Sequence, residues 1–463
     1  MNKPKGYHIF EEQGEFYLYD FQGSIIVQIS EELYEILRQF ELYGREDTFG
    51  IISELRANGA LQDFDVSKLE SLERNATAYL TFAPTYECNF RCKYCFGDAG
   101  AKYQGQIREF NKRSLCEMLD FFFYKAFPEA NNYRIDFVSG GEPLLGFNRI
   151  KDTILYIEQF HTATNKQVSV WLCTNGSLLT DDIAEFLSTH NVSIGVSLDG
   201  RKERNDLYRF DKGGNGTYEL VLRGIELIKE NSRVTNKFKN IWGLCTATNE
   251  NCDFIDTLVH MKELGFRHVQ IRLIRSKEKY NVELFISQYR KLAKFLLEMY
   301  KSGDTSYLKM ILNDNDQFGN VLKRILLDEF LIRRCNAGLN KITICPDGTI
   351  FPCDSMVGIQ QFSMGRIGEH LDPLSSWKNR TVDEIPECQS CDIKYLCGGD
   401  CYYNAFMKTG SAIQPDHEFC TLQRKLINIA ISLRVKMKEY NQNQYDSFVT
   451  EVKRGNDYSL IFG

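Results

Sequence analysis

The stretch AYLTFAPTYECNFRCKYC, residues 78–95, sets an apolar run directly before three closely spaced cysteines. AYLTFAPT (78–85) is short, rich in β-branched and aromatic residues, and predicts a strand. The loop after it carries Cys88, Cys92 and Cys95. Three soft thiolates differ from a structural zinc site, which wants four closed ligands. A cubane iron–sulfur cluster held by three cysteines leaves one iron open, and an open iron is a reaction site.

Outward from this stretch the same pattern recurs. YRIDFVS (133–139), VSVWLCT (168–174), VSIGVSL (192–198), IWGLCTA (241–247) and HVQIRL (268–273) predict further strands, with helical segments near 112–127, 148–162, 180–189, 216–230 and 251–264. Six βα repeats with near-continuous apolar strands imply an α/β fold with a parallel sheet covered by helices, either open and doubly wound or an incomplete barrel. Ligands in such sheets sit at the carboxyl ends of the strands. The unusual residues cluster there: the three cysteines after the first strand, Gly140-Gly141-Glu142-Pro143 after the second, Thr174-Asn175-Gly176 after the third and Asp199-Gly200 after the fourth. Helical segments at 283–301 and 316–334 lead into a cysteine-rich region, and a helix around 418–440 precedes a polar tail, 441–463.

At 463 residues, 43% hydrophobic and 25% charged, the composition is that of a globular protein of two or three domains, with no run long enough to cross a membrane. A net charge of −6 gives no general attraction to nucleic acid or anionic lipid. The start, MNKPKGYHIFEEQGEF, lacks the apolar core of a secretory signal, so a cytoplasmic location is expected. In a reducing compartment fifteen cysteines point to metal or redox chemistry. Cys116, Cys173, Cys245 and Cys252 are scattered through apolar segments and are expected in the core.

Residues 1–75 open with the extended runs YHIF, EFYLYD and SIIVQI, separated by Gly14 and the Gln22-Gly23-Ser24 turn, and then become helical from Ser30, broken by Gly44 and Gly59. A hairpin with a small helical bundle outlines a winged helix. Seven Lys/Arg against fifteen Asp/Glu in this segment give −8, the wrong sign for a phosphate backbone. A peptide-docking module is therefore expected over DNA binding, with a structural cap on the next domain as the plain alternative.

CNFRCKYC resembles the CxxxCxxC signature of the radical S-adenosylmethionine (radical SAM) enzymes, with Tyr94 in the aromatic position near the adenine. The resemblance implies a partial (β/α)6 TIM barrel over residues 76–315 and a [4Fe–4S] cluster whose unique iron chelates SAM. That family splits SAM to a 5′-deoxyadenosyl radical, which abstracts a substrate hydrogen. Gly140, Gly141 and Glu142 match the GGEP segment, where backbone and Glu142 meet the methionine amino group. By similarity to the TNG and SLDG stretches of the peptide-modifying branch, Asn175, Ser197 and Arg209 should touch the ribose or the SAM carboxylate. Asn205 stands where the branch often has His, and keeps a hydrogen-bonding side chain.

The C-terminal cysteines, Cys335-x12-Gly348-x4-Cys353, Cys388-x2-Cys391-x5-Cys397-x3-Cys401 and Cys420, resemble the SPASM extension of that family; a zinc ribbon is the alternative for the Cys388 and Cys391 pair alone. The resemblance implies two auxiliary [4Fe–4S] clusters within residues 316–440, three in all. Cys388, Cys391, Cys397 and Cys420 would close one; Cys335, Cys353 and Cys401 would hold the other, one ligand short. Either Cys345 completes it or a substrate thiolate does. Asp354 matches the catalytic base of sulfatase-maturing relatives.

Residues 1–75 resemble, more loosely, the leader-peptide recognition element of enzymes that modify ribosomally made peptides. The expected function is a radical SAM/SPASM peptide maturase of the sactipeptide or ranthipeptide type. It would form Cys-to-carbon thioethers in a cysteine-containing precursor with a leader, fed by a donor such as flavodoxin or ferredoxin. The competitors are a formylglycine-forming sulfatase maturase, a carbon–carbon cross-linker or epimerase, and a non-enzymatic iron–sulfur sensor, which would not need the GGEP and TNG strand ends.

Overall fold

The computed structural model describes residues 6–21, 24–43, 50–65, 77–103, 109–138, 140–235, 241–274, 280–369, 377 and 380–462. Part of the expected 22–24 turn, Gly44 and Ser139 lie outside them. The chain forms two compact units, each assembled from separated stretches.

One unit comprises Asn75–Tyr280, Asn336–Asn379 and Gly455–Gly463. Its parallel strands are β4 (Ala78–Phe82), β5 (Asn132–Phe137), β6 (Gln167–Thr174), β7 (Ser193–Ser197), β8 (Ile241–Ala247) and β9 (His268–Leu273), numbered after three N-terminal strands described below. They pair in sequential order, with Leu80 against Ile135, Ile135 against Val170 and Leu172 against Ile194. A doubly wound sheet reverses its order midway, whereas an unbroken sequential order is that of a barrel segment. Leu80, Ile135, Phe137, Leu172, Ile194 and Val196 are fully buried, as strands covered on both faces require.

Two further strands extend this sheet. β10 (Lys341–Ile344) pairs parallel with β4, and β11 (Ile350–Phe351) pairs antiparallel with β10. Four and two residues among cysteines are too short to show strand periodicity. The helix expected over 112–127 is an α-helix, Lys112–Phe121, that widens into a π turn at Phe122–Ala126. The widening packs Phe122 and Phe123 against Tyr133, and Phe123 against Phe160.

The other unit comprises Met1–Arg74, Asn281–Cys335 and Arg380–Arg454. β1 (Tyr7–Glu12), β2 (Glu15–Asp20) and β3 (Ile25–Ile29) form an antiparallel meander. Alternation gives the sheet two apolar faces. Tyr7, Ile9 and Leu18 meet Leu37, Ile52 and Leu61 in one core. On the opposite face the Tyr17 hydroxyl lies 2.9 Å from Ser432 Oγ, and His8 Nε2 lies 2.9 Å from Asn428 Oδ1, both on the helix His417–Tyr440. The sheet is thus built into this unit rather than standing as a free module.

The segment 316–334 is helical only over Gly319–Leu327, because Asp328 turns left-handed (φ 55°). Its carboxylate pairs with Arg434 at 2.5 and 3.2 Å and accepts from the Tyr19 hydroxyl at 3.1 Å. The expected tail after Tyr440 is instead a helix, Gln442–Phe462, anchored by buried Tyr445 and Phe448, the latter 6.0 Å from the Tyr300 ring. Replacing Asp328 by Ala leaves buried Arg434 without its counter-charge and should lower the unfolding free energy by about 2 kcal/mol, read by denaturant titration. A change under about 0.5 kcal/mol would show that the pair is not structural.

Candidate metal centre

Cys88, Cys92 and Cys95 follow β4 on a loop fixed by its backbone. The Arg91 N–H donates to the Phe210 carbonyl at 2.7 Å, the Lys93 N–H donates to the Tyr208 carbonyl at 2.9 Å, and Phe90 bridges to Asp211. The Phe90 N–H points at Cys88 Sγ and the Ala99 N–H at Cys95 Sγ, each at 3.4 Å. All three cysteines are half-buried. Burial pushes the Cys88 thiol up to about 12, with Glu142, Cys92 and Cys95 raising it further against the Phe90 N–H. Burial also raises Cys92, opposed by Arg209. Thiols that feel one another and resist ionising alone suit a cationic iron core, which takes them as thiolates and releases their protons. Among the described residues no three His, Cys, Asp or Glu side chains already surround a single ion.

Gly140 and Gly141 bring the next strand end against this loop. A Cβ on Gly141 would lie 1.8 Å from the Glu87 carbonyl oxygen, and one on Gly140 would lie 2.5 Å from the Ala83 Cβ. The Glu142 N–H donates to that same Glu87 carbonyl at 2.8 Å. The glycines therefore serve first a backbone-to-backbone approach.

Glu142 is 2% exposed. Its carboxylate accepts from Thr174 Oγ1 at 2.5 Å, the Asn175 N–H at 2.7 Å and the Leu144 N–H at 3.2 Å. Burial outweighs these donors and raises its pKa to about 7. Asn175 reaches back to the cysteine loop, Nδ2 donating to Asn89 Oδ1 at 2.9 Å.

Asp199, at the end of β7, is a second hub. Arg209 holds it in a buried fork at 2.9 and 3.1 Å, the Thr246 N–H donates to it at 2.8 Å, and the Tyr94 hydroxyl donates a short bond to it. The Arg209 guanidinium lies 5.4 Å from the centre of the Tyr94 ring. Arg209 is thus engaged by Asp199, and Ser197 hydrogen-bonds the Cys173 thiol. Cys245 and Cys252 are buried in the core, whereas Cys116 and Cys173 are half-buried. Asn205 is buried and its Oδ1 accepts the Asp199 N–H at 3.3 Å.

Cys353, Asp354 and Cys345 belong to this same unit. Asp354 Oδ1 lies 3.4 Å from Cys353 Sγ and 3.8 Å from Lys341 Nζ. Lys102 Nζ donates to the Ser355 carbonyl at 2.9 Å. Burial lowers the Lys102 pKa, and Asp354, Cys353 and Cys95 pull it back, so one ammonium senses both cysteine regions. Lys102 carries no sequence signal, because only folding brings 102 beside 353–355. Cys345 is buried, and its thiol, pushed up to about 12 by burial, is hydrogen-bonded with Tyr86.

The remaining cysteines lie in the unit that holds β1 to β3. Burial pushes Cys388 up to about 12 and also raises Cys391 and Cys397, Cys420 stands exposed beside them, and Cys391, Cys397 and Cys420 all act on Cys388. Cys335 and Cys401 belong to the same unit, and both act on the Tyr402 hydroxyl.

Residues 82–259 match the family model of the radical SAM superfamily. Over 381 residues the chain is 26% identical to a cysteine-type anaerobic sulfatase-maturating enzyme of Clostridium perfringens, covering 75% of this chain and 96% of that one. The fold is similar to that of native anSMEcpe with bound AdoMet (TM-score 0.62, 22% identity, 81% of this chain and 99% of that chain). It also resembles Streptococcus suis SuiB bound to precursor peptide SuiA (TM-score 0.52, 15% identity, 89% and 98%). Residues 82–259 therefore carry a radical SAM domain, which implies a [4Fe–4S] cluster and SAM.

Two outcomes follow from the geometry. Gly141→Ala drives a Cβ into the Glu87 carbonyl and should reduce the iron retained after anaerobic reconstitution by more than half; full iron content would show that the approach is dispensable. Burial raises Glu142 to about 7, so, with Glu142 facing the SAM ammonium as the GGEP resemblance implies, SAM affinity measured at equilibrium should rise as pH increases from 6 to 8 and the carboxylate ionises. Glu142→Gln should bind weakly with no such rise, and a slope retained in that variant would assign it to another group.

Proposed function

We propose that the protein is a radical SAM maturase that joins a cysteine sulfur to a carbon of a ribosomally made precursor peptide as a thioether. The observation that carries this reading is that Lys102 links Cys95, the last of the three thiols after β4, to the turn Cys353-Asp354. Cys88, Cys92 and Cys95 would hold the SAM cluster. Cys388, Cys391, Cys397 and Cys420 would hold one auxiliary [4Fe–4S] cluster, and Cys353, beside Asp354, an iron of another.

When bound, these groups would supply a 5′-deoxyadenosyl radical, whose formation takes one electron from a donor such as flavodoxin or ferredoxin, and an acceptor for the one electron released as the C–S bond closes. Making the C–S bond removes two hydrogens from the peptide: one leaves carbon as an atom, the other leaves sulfur as a proton plus an electron. Asp354, part-buried and close to Lys341, is the base for that proton. Glu142 orients the SAM ammonium. Tyr94, with its hydroxyl tied to Asp199, presents a fixed ring for the adenine. With the Cys345 thiol engaged by Tyr86, the substrate thiolate is the better candidate for the missing ligand beside Cys353.

Leader docking is supported by β3. It is an edge strand, and Ile25 and Val27 are 54% and 39% exposed. A peptide can extend such an edge by main-chain pairing, with alternate side chains giving selectivity. The name of the Clostridium perfringens relative favours a second reading, formylglycine formation in a sulfatase.

Mass spectrometry of a cysteine-bearing precursor after anaerobic turnover separates the two. Loss of one hydrogen pair per cysteine that no longer alkylates, without a disulfide, is the expected result; conversion of a lone Cys to formylglycine would establish the second reading. The Cys88→Ala, Cys92→Ala, Cys95→Ala triple variant should release no 5′-deoxyadenosine, and undiminished release would sink the assignment. Because His8, Tyr17 and Tyr19 are packed inside their unit, docking is better probed by Ile25→Lys with Val27→Lys than by deletion. These changes should weaken precursor binding about tenfold, about 1.4 kcal/mol, and leave uncoupled SAM cleavage intact. Unchanged affinity would remove β3 from the docking role.

A further inference from the structure

The thiols of Cys388, Cys391, Cys397 and Cys420 are surrounded by arginines from three segments of their unit. Arg424, four residues after Cys420 on the helix His417–Tyr440, donates from Nη2 to Cys391 Sγ at 3.5 Å and pairs with Asp392 at 2.7 Å. Asp392 is in turn held by His8 Nδ1 of β1 at 2.6 Å. Arg334 donates to the Cys397 carbonyl at 3.5 Å and lies 5.6 Å from the centre of the Phe419 ring. Arg324 is 5% exposed; its Nε donates to the Asn320 carbonyl at 3.3 Å, but its Nη1 and Nη2 have no partner among the described residues.

A buried guanidinium with two unpaired terminal nitrogens is costly unless an anion lies beside it. Burial lowers the Arg324 pKa to about 10, so it keeps its charge at neutral pH. Arg334 repels it, and Cys397 is the strongest attracting group acting on it, ahead of Asp314 and Glu329. The nearby carboxylates are otherwise engaged. Asp392 is held by Arg424 and His8, Asp416 caps its helix through the Glu418 N–H, Asp400 accepts from the Cys401 and Asp416 N–H groups at 2.6 and 3.1 Å, and Asp314 pairs with Lys323 at 2.7 Å.

We propose that Arg324, Arg334 and Arg424 form a guanidinium cage that balances an anionic iron–sulfur cluster on these four cysteines and sets its reduction potential, with Arg424 fixed by Asp392 and His8. The cage rests on the ligand assignment under the proposed function. Four thiolates around an iron–sulfide core carry net negative charge, and uptake of one electron adds one more. Fixed cations at the sulfurs stabilise the more negative state and raise the potential. The cluster in this cage is then where an electron settles.

The test is an EPR-monitored redox titration of the full-length, anaerobically reconstituted chain. Cys388→Ala with Cys391→Ala should first remove about four irons per chain. Unchanged iron there refutes the ligand assignment, and the cage with it. With iron retained, Arg424→Gln should lower the reduced-to-oxidised ratio of one auxiliary signal about tenfold at the wild-type midpoint, a shift of about 59 mV. Arg424→Lys, which keeps the charge, should stay within about threefold of wild type. An unmoved midpoint in the Gln variant, or a Lys variant displaced as far as Gln, overturns the cage. If the Gln variant does not hold iron, Arg324→Gln takes its place, with the same shift expected and the same null overturning the proposal.

Discussion

The Glu142 carboxylate is buried, and three donors from two strand ends converge on it. Its own N–H is anchored to the Glu87 carbonyl beside the first cysteine. That arrangement needs Gly141, because any side chain there would occupy the Glu87 carbonyl. Removing the carboxylate would strand three donors in the interior, so the ends of β4, β5 and β6 are locked into one geometry. The cysteine loop inherits its position from this lock, and a cluster on the loop would inherit its orientation.

A second constraint comes from Asp199. Arg209 forks onto it, Tyr94 donates to it and the Thr246 N–H closes the set. Burial of the whole group makes each member depend on the others, since an unpaired charge here would be uncompensated. Family resemblance places Arg209 on the cofactor; in the fold its guanidinium is engaged by Asp199 and orders the Tyr94 ring. Lys102 adds the link from this mouth to Cys353 and Asp354, so a basic residue from the loop that follows the first cysteines acts with Lys341 around the proposed base.

In the other unit the three-stranded sheet is apolar on both faces, and this decides how its cysteines are held. Tyr17 and His8 lie on the long helix, His8 grips Asp392, and Asp392 grips Arg424 at Cys391. The N-terminal strands therefore support the cysteine segment rather than merely preceding it. β3 is an edge strand with exposed apolar side chains, Ile25 and Val27, the feature expected of a strand that pairs with a peptide.

Local pattern was enough for the barrel strands: the six expected apolar runs appear as β4 to β9, five of them within one or two residues of their expected ends and β4 stopping at Phe82, three residues before the expected Thr85. The spacing of Cys88, Cys92 and Cys95, and the Gly-Gly-Glu and Thr-Asn-Gly strand ends, were legible because parallel sheets deliver such residues to one edge. What the sequence could not contain was partnership across distance. β10 and β11 are strands only because β4 offers a free edge, and the helix at 319–327 ends where Asp328 finds Arg434. Lys102, Asp199, Arg324 and the His8–Asp392–Arg424 chain owe their roles to neighbours tens or hundreds of residues away. Burial and charge compensation act between spatial neighbours, and only the tertiary structure chooses which residues those are.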